Sequence, residues 1–240
     1  MITLGKAKIA FSSRSDGSMA TGQGKPQTRE QKANVEKFLA KNHFQSRRTS
    51  MQVTYALNRS YTDIERITSE NSDGLIYADA VYTTEPRQVL VLPVADCVAT
   101  VIYDPATNML GLLHLGRHSS VAGLIEAFII EVSDVLGSDP HDWQIWMSPS
   151  LTVEHDRLDF FDPIDSEEWR SFVHRDESGI YIDTIGHNQA RFIRAGVRPK
   201  NIIISPSDTY GDDNYFSHRA YLDGHSSKAG RMIVTAAITE

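Results

Sequence analysis

Three apolar runs in the middle of the chain constrain the fold most. Gln88 to Val94 and Val98 to Tyr103 are β-branched and nearly continuous, and Met109 to Leu115 follows after Asp104-Pro105-Ala106-Thr107-Asn108. Such runs read as strands and the intervening segment as a turn, so the spacing predicts a hairpin over the last two. The clearest helix comes next. Val121, Leu124, Ile125, Phe128, Val132, Val135 and Leu136 recur at three-four spacing, Gly137 lies where a helix would end, and Ser119 or Ser120 is the expected cap.

Upstream, Lys8 to Phe11 reads as a short strand, followed by a Ser- and Gly-rich loop to about Pro26. Thr28 and Gln31 have capping-box spacing, and Val35, Phe38 and Leu39 give the helix behind them one apolar edge. Downstream, Gln144 to Met147, Asn201 to Ser205 and Met232 to Ile238 read as strands, and Glu154 to Asp165 as an acidic, solvated connection. Asp183 caps an expected helix running to Ala195, with Gly196 after it and Pro199 beyond. No internal repeat or long linker divides the sequence, so a single α/β domain over residues 1–240 is expected.

Hydrophobic residues make up 40% and charged residues 23%, the balance of a globular chain. A net charge of −7 with no Lys/Arg cluster speaks against nucleic-acid binding, Arg47-Arg48 reading as a solvated pair. No apolar run reaches the ~18–20 residues of a spanning helix, and no signal peptide is evident. One cysteine excludes an internal disulfide, which suits a reducing cytoplasm. The oligomeric state is not legible.

That cysteine stands in Val94-Ala95-Asp96-Cys97, and His114 ends the last of the three runs, 17 residues later. A hairpin would bring both to neighbouring strand ends. A thiol beside an imidazole supports a nucleophilic thiolate with histidine as base, or two ligands for zinc. A buried small hydrophobe and a satisfied core histidine would look the same in sequence. Asp96 would orient His114 or cap a turn.

Several segments, in order, resemble the YfiH or laccase-domain family. They are Asp79-Ala80-Val81-Tyr82-Thr83, Ala95-Asp96-Cys97, His114-Leu115-Gly116, Ser148-Pro149-Ser150-Leu151, and Ile182-Asp183 with Asn188-Gln189 and Gly196-Val197. Asp208-Thr209-Tyr210 with Tyr215-Phe216-Ser217-His218-Arg219, and Gly230-Arg231-Met232, complete the set. The resemblance implies one α/β domain with mixed sheets and flanking helices, similar to cysteine hydrolases. It also implies a catalytic zinc held by two histidines and a cysteine. Purine nucleoside phosphorolysis, adenosine deamination and editing of a peptidoglycan precursor are the activities it carries, besides the copper-dependent phenol oxidation of the older name.

The sequence departs from the pattern at the site. Met51-Gln52-Val53-Thr54 has threonine where the family has its first histidine ligand, Arg117 and His118 replace a tryptophan and an arginine, and His218 replaces a tyrosine. The expected set is therefore Cys97, His114 and Asp96 for catalysis, and Cys97, His114 and His118 for zinc. Arg219, Arg231 and His218 are expected to bind a nucleoside and phosphate. Three hypotheses stand: a purine-nucleoside enzyme, a metal-free cysteine hydrolase or amidase, and a non-catalytic homologue. Copper is not expected, because no H-x-H pair occurs.

Overall fold

A strand that is apolar on both faces needs a covering layer on each side. The computed structural model, which describes residues 1–22, 25–45, 47–53 and 63–239, supplies those layers. Among the described residues, one six-stranded sheet runs β1 (Ile2–Leu4), β2 (Ala7–Phe11), β15 (Met232–Ile238), β7 (Val89–Val94), β3 (Arg48–Gln52), β5 (Gly74–Tyr77). A second runs β14 (Ile202–Ile204), β10 (Gln144–Met147), β8 (Val98–Asp104), β9 (Met109–Leu115), β6 (Ala80–Thr83), β4 (Ile64–Arg66). Both mix parallel and antiparallel pairs. A small sheet of β11 (Arg157–Leu158), β13 (Gly179–Ile182) and β12 (Val173–Asp176) lies apart.

The two large sheets face each other. Ile9, Leu90, Leu92, Val234 and Ala236 of the first pack against Val81, Ala99, Val101, Leu110 and Leu112 of the second. Helix α1 (Arg29–Lys41) covers the outer face of the first sheet with Val35, Phe38 and Leu39. Helices α3 (Leu124–Leu136) and α4 (Thr184–Arg194) cover the outer face of the second, with Leu124, Ile125, Phe128, Val132 and Phe192. The result is a four-layer α/β domain. Burial of an aliphatic or aromatic side chain contributes ~1.5–3 kcal/mol, so this layering accounts for the continuous apolar runs of β8, β9 and β15, buried at every position.

The expected hairpin is present, with Asp104 opposite Met109. Thr28 and Gln31 form the expected capping box, and Asp183 accepts from the Gly186 amide at the start of α4. The expected cap at Ser119 or Ser120 is corrected. Both lie inside a short helix, α2 (Arg117–Val121), and α3 is capped by Gly123, whose φ of 82° is the left-handed conformation glycine adopts without penalty. That break rotates Val121 away from the core, and Val135 also faces outward; they are 42% and 45% exposed. Arg48 belongs to β3 and pairs with Glu36 at 2.8 Å rather than lying in a solvated loop. Among the described residues no helix is long and apolar enough to cross a membrane.

Candidate active site

Side chains alternate faces along a strand. Val81, Ala99 and Leu112 point between the two sheets, so two residues back from Val81 and Ala99, and two on from Leu112, the same face carries Asp79, Cys97 and His114. The register completes the arrangement. Ala80 opposes Leu113, and the His114 amide donates to the Asp79 carbonyl at 2.8 Å. Ala99 opposes His114, which sets Cys97 across from Gly116. The three side chains therefore meet where the inter-sheet core ends.

Cys97 sits at a crossing. The chain leaves β7 in one sheet and enters β8 in the other through Ala95-Asp96-Cys97, and Asp96 makes the bend with a φ of 81°, a conformation held only where the surroundings over-determine it. The surroundings are on hand. The Thr209 hydroxyl donates to Asp96 Oδ1, and the Arg219 amide to Oδ2, both at 2.8 Å. Asp96 thereby pins the first turn of α5 (His218–Leu222) beside Cys97. It does not orient His114. The carboxylate facing that imidazole is Asp79, Oδ1 lying 3.8 Å from Nδ1. Its signal was in the sequence, since Asp79 opens the first matched segment.

His114 is 4% exposed and Asp79 1%. Burial works against a charge on His114, but the Cys97 sulfur and the Asp79 carboxylate outweigh it and raise the imidazole from 6.5 to about 9. Gly116 is the residue this crowding requires. A Cβ there would lie 2.9 Å from Cys97 Sγ and 3.0 Å from His114 Cε1. Behind the imidazole, the Ser119 hydroxyl donates to the His114 carbonyl at 2.6 Å, locking the turn into α2.

A cavity of about 400 Å³ opens on this group. Cys97, His114 and Asp96 line it, as do His118 and Arg117 from α2, His218 and Arg219 from α5, and Arg231. Every residue the sequence nominated is thus on one wall or another. Reasoning from sequence missed Asp156, which it placed in a solvated connection. Asp156 lines the cavity, where burial outweighs the Thr184 hydroxyl and the nearby Arg117 and Arg219 and raises its carboxyl to about 6. Burial, helped by Arg117, lowers His118. Helix α2 is held from behind by α4: Asn188 Nδ2 donates to Ser120 Oγ at 2.9 Å, and Arg191 Nη1 to the Ser120 carbonyl at 3.0 Å. Asn188→Ala is expected to cost ~1–3 kcal/mol of stability, the penalty for stranding a buried polar partner. Chemical denaturation checks this.

The sequence model of the family described as multi-copper polyphenol oxidoreductase laccase matches residues 10–239. The chain belongs to that family. A purine nucleoside phosphorylase of Staphylococcus saprophyticus is 28% identical over 169 residues, 68% of this chain and 61% of its own. One of Streptomyces coelicolor is 37% identical over 148 residues, 59% of this chain and 58% of its own. The match thus spans about three-fifths of those relatives' length. The solved structure of YlmD from Geobacillus stearothermophilus superposes with a TM-score of 0.81 at 19% identity, covering 98% of this chain and 93% of that one.

The laccase-family resemblance implies zinc, and among the described residues the donor set does not complete such a site. An open catalytic zinc site takes three protein ligands. Cys97 and His114 offer two, and among the described residues no three His, Cys, Asp or Glu side chains are grouped to hold a metal ion. His118 does not complete such a group, and Thr54, at the family's first ligand position, lies outside the described residues.

Proposed function

We propose that this chain is a purine-nucleoside enzyme of the phosphorylase or deaminase type, working in the Cys97–His114 cavity. The observation that carries the reading is the sharing of one cavity by the Cys97–His114–Asp79 group and three guanidinium side chains, Arg117, Arg219 and Arg231. The family relatives named as purine nucleoside phosphorylases support it. In phosphorolysis a phosphate oxygen bonds to the sugar C1′ as the C1′–N9 bond breaks. The electron pair leaves with the purine, which needs a proton at N7. Arginines suit the phosphate because their planar fork matches its oxygens. A group still protonated near neutrality suits the departing base, and His114, raised to about 9, meets that condition.

A panel of purine nucleosides, incubated with and without phosphate and resolved by chromatography, tests the reading. Release of free base with sugar 1-phosphate, or of a deaminated nucleoside, is the expected result. No turnover of any purine nucleoside would overturn it.

The Asp79–His114–Cys97 order favours a second reading, a metal-free thiol hydrolase in which Cys97 attacks a carbonyl and His114 passes the proton to the leaving group. A trapped thioester at Cys97, seen by mass spectrometry with amide substrates, would select it. On metal, we expect weak zinc binding by the native chain, and binding tighter by at least ~10–100-fold after Thr54→His. Titration against a competing chelator at fixed pH measures both. One tightly held zinc per native chain, with no gain in the variant, would mean that another residue fills the place.

A further inference from the structure

A second and larger hollow, about 620 Å³, lies between α1 and the first sheet's β3 and β5. Lys25, Lys32, Arg48 and Arg231 line it, against Glu36 and Asp73. Glu36 is taken up by Arg48, and Asp73 Oδ1 accepts from the Arg48 amide at 3.5 Å. No carboxylate among the described residues forms an ion pair with Lys25, Lys32 or Arg231. An excess of cations in a concave surface runs against the chain's net charge of −7, and a hollow whose net charge has one sign concentrates ligands of the other.

This hollow abuts the first cavity. Arg231 and Val53 line both. The Arg231 side chain lies against Gly22, where a Cβ would meet Nη2 at 2.6 Å, so its guanidinium is packed in place at the junction.

We propose that the second hollow is a phosphate-ester subsite of the same site, so that the ligand is a phosphorylated nucleoside. Base and sugar lie at Cys97 and His114, and the phosphate passes Arg231 toward Lys32 and Lys25. The inference rests on the purine-nucleoside reading. Arg231 supplies the bidentate contact, and the two lysines supply point charges that a second phosphate would reach.

Calorimetric titration of the full chain with adenosine, adenosine monophosphate and adenosine diphosphate tests it, repeated on Lys32→Glu and Lys25→Glu. Lys32 stands on the exposed side of α1, so the fold tolerates the change. A phosphorylated ligand is expected to bind about tenfold or more tightly than adenosine, an advantage that shrinks as salt rises. The advantage should fall at least about threefold in the lysine variants, with adenosine affinity unchanged. Equal binding of all three ligands overturns the inference and leaves the nucleoside reading intact. A nucleotide advantage that survives both variants overturns the assignment to this hollow. Failure of adenosine and both nucleotides to bind overturns the inference and the nucleoside reading together.

Discussion

Cys97→Ala is expected to lower turnover by about 10³-fold or more, the scale on which loss of a reacting thiol or its partner acts. Two effects combine. The sulfur itself is gone, and with it the strongest influence keeping a proton on His114. Burial is the largest influence on that imidazole and acts downward, with Cys97 the largest acting upward and Asp79 behind it. Without the thiol, His114 should titrate lower. A titration of the His114 ring signals by NMR should show loss of the proton near pH 9 in the native chain and at lower pH in the variant. Stability follows the same linkage. A histidine raised from 6.5 to about 9 contributes stability that is fully present below pH 6.5 and is lost as pH rises through 9. Thermal stability of the native chain should therefore decline between pH 7 and 9.5, and that of Cys97→Ala should decline less over the same range. Unchanged turnover in Cys97→Ala would remove the thiol from the hydrolase reading and from any part in keeping His114 protonated for the nucleoside reaction.

What the sequence made legible is what its neighbours in the chain decide. The capping box at Thr28 and Gln31, the cap at Asp183 and the hairpin across Pro105 each depend on a few consecutive residues. The family resemblance extended that reach, and Cys97, His114, His218, Arg219 and Arg231 do share a cavity. Partners chosen by the tertiary arrangement were not legible. The sequence presents Gln88 to Val94 and Val98 to Tyr103 as neighbouring runs, and only the structure sends them to different sheets, which puts the Cys97 bend at a crossing. From the sequence alone, Asp96, adjacent to Cys97, could orient His114 or cap a turn. The alternation of faces gives that position to Asp79 and leaves Asp96 to hold α5. Asp156 was hidden for the opposite reason. It sits in an acidic run that looks solvated, and its burial comes from Thr184 and the cavity walls.

Gly116→Ala is expected to separate the geometry of the site from its chemistry, because it adds a methyl group and removes no functional atom. The added Cβ would stand 2.9 Å from Cys97 Sγ, 3.0 Å from His114 Cε1 and 3.4 Å from Nε2. The first distance is shorter than any ordinary contact, and neither neighbour is a flexible side-chain tip free to swing away. Cys97 is a short side chain at a bend fixed through Asp96, and His114 is buried between Asp79 and the hairpin. One of them has to move. Overpacking of this kind costs ~1–3 kcal/mol, which would lower the midpoint of unfolding without preventing folding. The effect on turnover should be larger in proportion, about 10²-fold, because an ångström of misplacement between reacting groups costs that much. Binding should hold up better, since Arg219 and Arg231 reach the cavity from other elements of the fold. The expected signature is thus a large fall in kcat with a small change in KM, and a His114 titration shifted away from 9 as the sulfur and imidazole part. A variant that loses stability but keeps full kcat would show that Cys97 and His114 pack together without acting together.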